Sequence, residues 1–348
     1  MHYFIYPTKD ATIYSGSVEM GSVEKTEINT GLDAILEVDK RIKPDYIDNT
    51  WSRFLIQFDL SSWVTHSNEV YYLNLYDAGS EEIPISNTLY AYPVSSSWEM
   101  GVGKLDHDPV TKDGVTWGWR DSSGSLNWDN AGGDFLTSSV ASQSFEYSTD
   151  DIRMNVSDMV GDWLSGSYTN NGIMIKRDTE NEWSSVNLGI MKYFSRDTHT
   201  IYPPRLDVMW DDSSWDTGSL SALDVTGSDY ILYMKNVRPE YNEKGKTRFR
   251  VVGREKYPER TFSNTSEYAT IAYLPTSSYY SIRDAHTEEV LIDFDDYTKL
   301  SCDSTGNYFD FWLDSLQPER YYKIVYKVVQ SDGLEKYFDN DFTFKVVR

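Results

Sequence analysis

The sequence predicts an all-β protein made of two consecutive sandwiches. Three observations predict it. Tyrosine and tryptophan are frequent, at 27 and 11 of 348 residues. Aromatic and β-branched runs of roughly five to eight residues are separated by Ser, Asp, Asn, Thr and Gly clusters, the pattern of short strands and tight turns. Helical spacing of apolar residues shows in a single stretch.

In chain order, the first part holds strands over Ala11–Ser17, Ala34–Asp39, Ser52–Leu60, Glu69–Gly79, Thr88–Val94, Gly172–Asp178 and Arg205–Trp210. Each alternates or concentrates apolar residues between turn formers. Asp151–Gly166 places Met154, Val156, Met159, Val160, Trp163 and Leu164 mostly on one helical face, with Gly166 as its stop. Strands of the second part lie near Asp229–Val237, Lys246–Gly253, Tyr268–Pro275, Tyr280–Ala285, Val290–Asp295, Tyr308–Asp314, Arg320–Gln330 and Phe342–Val347. Asp332-Gly333 marks a hairpin turn. Seven or eight such strands in about 120 residues suit an immunoglobulin-like sandwich.

The boundary is read from tryptophan usage. Of the 11 tryptophans only Trp312 lies beyond Trp215. Asp211–Asp229 is rich in Ser, Asp, Thr and Gly and has little apolar periodicity. The expected division is a first sandwich over 1–212, a linker over 213–228 and a second sandwich over 229–348.

Charge and composition narrow the function. A net charge of −23 opposes nucleic-acid binding. No run of about 18 apolar residues occurs, so no spanning helix is expected. The start, Met1–Tyr14, lacks a basic region followed by an apolar core, so the chain is expected to fold in a cytoplasm. The lone Cys302 excludes an internal disulfide framework. His2, His66, His107, His199 and His286 are scattered, and no HExxH, GxSxG or Walker pattern appears. A protein without catalytic activity or cofactor is expected. Asp293–Asp296 and Asp106–Pro109 offer oxygens of the kind calcium takes, but neither follows the EF-hand loop. They are read first as acidic surface loops, with bound calcium as the alternative.

Three groups of residues stand out. Ser52–Leu60 puts Phe54, Ile56, Phe58 and Leu60 on one face and Arg53, Leu55, Gln57 and Asp59 on the other. An arginine there needs a carboxylate or carbonyl partner under a covering loop, so Arg53 is assigned a structural role. Lys246, Arg248 and Arg250 alternate with apolar residues and form a cationic stripe. It reads as a solvated face, or as a docking face for an acidic neighbour. Trp98, Trp117, Trp119 and Trp128 lie in Gly/Ser/Asp-rich contexts. They read as loop staples, with Trp98, Trp117 and Trp119 as glycan-stacking platforms in the alternative.

Arg53–Trp63, RFLIQFDLSSW, resembles the R-x-L-L-x-F-D-L-S signature of DNRLRE-domain proteins. The likeness continues in order: Ala11–Ser17 with Asn29–Asp39, then Asn74–Gly79, Leu89–Gly101, Gly114–Asp121, Asp158–Asp178 and Ser195–Trp210. The segment Arg41–Thr50 and the loop Gly103–Gly114 are additions to the family pattern, and Trp98 is followed by Glu99-Met100. The resemblance implies a jelly-roll-like β-sandwich over residues ~11–210. It also implies carbohydrate-binding, cell-surface adhesive or phage structural roles. Leu316-x-Pro318-x-x-x-Tyr322 resembles the entry to strand F of fibronectin type III or Ig-like modules. That likeness implies a tyrosine corner at Tyr322.

Together these readings lead to one expectation: a non-enzymatic bacteriophage virion protein of capsid, neck or tail. It is assembled in the host cytoplasm and contacts other virion proteins as a homo- or hetero-oligomer, without nucleic-acid or membrane partners. The alternative is a carbohydrate-binding module for host surface glycan.

Overall fold

A computed structural model describes residues 1–16, 19–20, 23–42, 51–106, 111–146, 151–226, 229–257 and 271–348. The protein is all-β, with antiparallel sheets in both of its compact units. The first unit comprises Ile5–Thr65 and Val70–Val208; the second comprises Met1–Phe4, His66–Glu69 and Met209–Arg348.

In the first unit the main strands are β1 (Pro7–Tyr14), β2 (Ile35–Lys40), β3 (Ser52–Phe58), β4 (Val70–Leu75), β5 (Ser86–Pro93), β6 (Ala141–Glu146), β7 (Ile152–Asn155), β8 (Ile173–Lys176), β9 (Gly189–Phe194) and β10 (Arg205–Met209). Five of them form one sheet in the order β6-β5-β8-β3-β1. β10, β4 and β7 lie side by side, and β9 pairs with β2. Inner-face residues of the two layers meet: the rings of Phe54 on β3 and Tyr193 on β9 are 6.0 Å apart.

The outer face of the five-stranded sheet is covered as well. Ala11, Ile13, Leu55 and Met174 on its strands form a second core with Val94, Trp98, Val115 and Trp128 from the long excursion after β5. β3 is therefore buried on both faces, except for the half-buried Gln57. A loop-borne apolar layer explains why Leu55 and Arg53 can share a face. Burial of that many large side chains stabilises the sheet by about 1.5–3 kcal/mol per residue.

The helix is shorter than its sequence pattern. Ile152–Asn155 is a strand paired with β4, and only Ser157–Leu164 (α1) is helical. Ile152 and Met154 are buried while Arg153 and Asn155 are exposed. That is a period of two, which overlaps a period of 3.6 over so short a run. Gly166, at φ +76°, ends the turn. A second short helix, α2, spans Thr179–Trp183 and is N-capped by the Asp178 side chain.

The second unit has β11 (Tyr230–Lys235), β12 (Glu240–Asn242), β13 (Lys246–Glu255), β14 (Ala272–Tyr273), β15 (Ser278–Asp284), β16 (Val290–Ile292), β17 (Ser301–Asp303), β18 (Gly306–Trp312), β19 (Arg320–Val329) and β20 (Glu335–Val347). One sheet contains β14-β13-β18-β17, with β11 also on β13; the other is β12-β20-β19-β15-β16. Facing aromatics fill the space between them, with Tyr280 stacked on Phe309 at 3.9 Å. Gly333, at φ +84°, closes the β19–β20 turn at Asp332-Gly333. The start of the strand expected over Tyr268–Pro275 lies outside the described residues, which show Ala272–Tyr273.

The expected linker is not a free tether. Ser214 and Asp216 bond through their backbones to Cys302 on β17 at 2.8 and 2.9 Å. Ser221–Ala222 runs parallel to β14, and Leu223 and Val225 are buried. The stretch that reads as turn-rich is an edge of the second unit, because its backbone groups complete an open sheet margin. Residues 227–228 lie outside the described set. The termini of the division also differ from the sequence reading, since Met1–Phe4 and His66–Glu69 belong to the second unit.

Candidate functional site

Arg53 is a buried and multiply paired side chain of the first unit. Only 7% of its surface is exposed. Its Nε and Nη2 donate to the two carboxylate oxygens of Glu182 at 2.9 and 2.7 Å, and Nη1 donates to the Gly132 carbonyl at 2.7 Å. The Trp117 ring lies 4.9 Å from the guanidinium carbon. Glu182 is 1% exposed and meets a second cation, Lys176, at 3.0 Å. Lys176 also donates to the Arg177 carbonyl at 2.7 Å. Burial lowers the Lys176 ammonium below its ordinary value, and Glu182 opposes that shift. Lys40 is lowered for the same first reason.

This cluster joins β3, β8 and α2 to the loop at Gly132. Sequence reasoning assigned Arg53 a structural pairing but did not find Glu182. Glu182 sits among Thr179, Glu180 and Asn181 and looks like part of a solvated turn. The available signal was the Asp178 cap, which orients a five-residue helix so that Glu182 faces inward. Its neighbour Trp183 faces outward, at 69% exposure. The Trp183 ring meets Trp51 edge-on at 4.8 Å, and Trp51 meets Trp117 edge-on at 6.1 Å.

Of the tryptophans read as loop staples or, in the alternative, sugar platforms, Trp98 is buried and Trp117 and Trp119 are half-buried. Trp98 is 2% exposed and its Nε1–H donates to the Asn171 carbonyl at 2.8 Å. Trp128 is buried, with its Nε1–H on the Thr116 carbonyl at 3.1 Å. Trp117 is half-buried against the outer core, and Trp119 is half-buried in the short strand Trp119–Asp121. Trp98 therefore presents no face for stacking. Indoles from one excursion converge because the outer sheet face offers an apolar surface that a Gly-rich loop can follow.

A cleft of about 680 Å³ does open in the first unit, lined by Lys9, Gln57, Phe58, Asp59, Trp163 and Asn170 among others. Two of its amides are held in place: Gln57 Nε2 donates to the Asn170 carbonyl and Asn170 Nδ2 to the Phe58 carbonyl, both at 2.9 Å. Asp10, nearby in sequence on β1, is 1% exposed. Burial pushes its carboxyl up to about 7, against a backbone hydrogen bond from Arg196.

The cationic stripe of β13 is paired within the second unit. Arg248 meets Asp310 through two hydrogen bonds at 2.8 and 3.0 Å. Arg250 meets Asp303 through two at 3.0 and 2.7 Å. Lys246 lies 4.0 Å from Asp310, and the Tyr308 ring lies 3.9 Å from the Arg248 guanidinium. Hydrogen bonds from Arg250 hold the Asp303 carboxyl well below the usual range. The stripe, read as a solvated face or a docking face, is thus tied to neighbouring strands: β18 sets Asp310 directly opposite Arg248, and Asp303 on β17 reaches Arg250.

Tyr322 is 1% exposed and donates to the Gln317 carbonyl at 2.7 Å, the geometry of a tyrosine corner. Of the acidic loops, Asp295 caps a 3₁₀ turn and contacts His2 Nε2 at 3.0 Å, and Asp296 pairs with Lys299 at 2.9 Å. Their carboxylates have these protein partners. In the other loop, residues 107–109 lie outside the described set. Among the described residues no group of three or more His, Cys, Asp or Glu side chains is arranged to hold a metal ion. No protein-family model matches the chain, and no curated protein matches it.

Proposed function

We infer that this chain is a non-enzymatic structural component of a bacteriophage particle, working by protein–protein contact in capsid, neck or tail. One observation carries the reading: the side chains with most chemical potential are locked into fastening the fold. Arg53, Lys176 and Glu182 tie three elements together. Arg248 and Arg250 are paired across strands. The tryptophans of the long excursion close a second core. Such fastening suits a body that bears contacts rather than one that moves protons. The ordered likeness to a family with phage structural members supports the same reading, as an analogy of sequence pattern. The partners are other virion proteins, and assembly takes place in the host cytoplasm.

Mass spectrometry of purified particles, combined with crosslinking, tests it. The chain is expected at stoichiometric level with crosslinks to a capsid, neck or tail protein. Its absence from washed particles would defeat the reading.

A second reading, recognition of host surface glycan, is favoured by the cleft at Gln57 and Asn170 rather than by Trp98. Fixed amides beside an indole and a carboxylate suit the hydroxyls and C–H face of a sugar ring. Titration with neutral oligosaccharides distinguishes the two, since only this reading expects saturable binding that is lost in Asn170→Ala.

A further inference from the structure

We propose that Trp183 is a docking anchor for a partner protein that offers an indole-sized pocket rimmed by lysine or arginine. The inference rests on the particle reading and names the contact through which it operates.

A single exposed apolar side chain needs no explanation. Trp183 differs because of how it is held. It ends a five-residue helix too short to be stable alone. That helix is fixed at its start by the Asp178 cap, which accepts from the Asn181 amide at 2.7 Å. It is fixed at its end by Glu182, clamped between Arg53 and Lys176 inside the unit. The residue next to the clamp points the other way and is 69% exposed. Trp51 supports its ring from the side at 4.8 Å. Val186, three residues on, is 55% exposed.

Burying three charged groups has a high desolvation cost. Here that arrangement sets the position of one outward indole. Rigid aromatic anchors of this kind dominate binding energy at protein interfaces, since little side-chain entropy is left to lose. Charge identifies the partner's rim. Glu180 is exposed on the same helix, Asp178 is half-buried at its start, and the chain carries −23. A basic rim complements these carboxylates, whereas a second copy of this acidic chain would repel them.

The test uses particles assembled with the wild-type chain, Trp183→Ala, Trp312→Ala as an aromatic control in the other unit, and Glu182→Gln. Thermal melts establish that each variant folds. Trp183→Ala is expected to lower incorporation about tenfold or more, as for an interface anchor, while Trp312→Ala incorporates normally. Glu182→Gln is expected to lower incorporation although the indole is retained. A photoreactive phenylalanine at position 183 should crosslink to a different virion protein next to lysine or arginine. Normal incorporation of Trp183→Ala overturns the inference and leaves the particle reading standing. Wild-type chain missing from particles overturns both. Crosslinks only to a second copy, or an oligosaccharide response that requires Trp183, assigns the surface to another occupant and overturns the proposal.

Discussion

Arg53 and Glu182 are 129 residues apart in the chain and meet in the interior of the first unit through two hydrogen bonds, at 2.9 and 2.7 Å. Fork-to-fork geometry of this kind is the strongest form of ion pair. The Gly132 carbonyl satisfies the remaining guanidinium edge. Lys176 shares one Glu182 oxygen, so removing Glu182 takes the carboxylate from two buried cations, and removing Arg53 leaves Glu182 with Lys176 alone.

Arg53→Ala and Glu182→Ala are each expected to destabilise the protein by about 3–5 kcal/mol. Urea unfolding of both single variants and the double variant measures this. The double variant should lose much less than the sum, because both deletions remove the same two hydrogen bonds. Strict additivity would show that the two side chains act independently.

Trp98→Ala is expected to cost about 3–5 kcal/mol, as for a large buried aromatic. Trp98→Phe should cost less, since it keeps the ring volume and loses mainly the Nε1–H bond to Asn171. Calorimetry checks both. A surface stacking residue would instead leave the melting temperature unchanged in either variant.

Tyr322→Phe removes only a hydroxyl. The Gln317 carbonyl then loses a 2.7 Å partner, and a loss of about 1 kcal/mol is expected. Fluorescence-monitored denaturation of the full chain suffices to measure it. No change in midpoint would argue that the corner is a by-product of the turn.

Asp10 sets a pH dependence. Its folded-state carboxyl is raised to about 7 by burial, above an ordinary value near 3.9. A raised value favours the folded state when the group is protonated. That contribution is full below about pH 4 and is lost as pH rises through about 7. Asp10→Asn should therefore gain most over wild type at pH 8 and least at pH 4, by thermal melts. The Asn side-chain oxygen can still accept from the Arg196 amide, as Asp10 does at 2.7 Å. A gain independent of pH would refute the assignment.

Asp303 should behave in the opposite way. Hydrogen bonds from Arg250 depress its carboxyl, so its stabilisation is present above the ordinary carboxylate value near 3.9 and is lost as pH falls below it. Asp303→Asn is expected to be less stable than wild type at pH 7, with the gap closing in acid. Partial exposure of the pair keeps the effect modest.

Local pattern determined much of this protein. The alternation of Phe54, Ile56 and Phe58 placed an inward strand face. Asp332-Gly333 placed a hairpin, because only a residue tolerant of positive φ closes so tight a turn. The spacing from Leu316 to Tyr322 placed a corner, because both ends of that hydrogen bond lie within five residues. Such features depend on neighbours in the chain. What tertiary structure alone decided depends on partners far away in sequence. Arg53 needed an unspecified carboxylate, and the fold supplied Glu182 from a helix that reads as a solvated turn. The stripe of Lys246, Arg248 and Arg250 looked free until β18 set Asp310 against it and β17 contributed Asp303. The indoles of Trp98 and Trp128 read as loop staples from their polar flanks, but that they fasten to the outer face of the five-stranded sheet came only from the fold. Periodicity tells which way a side chain points, but the dielectric, the charge and the partner that it meets there come from segments brought together only by folding.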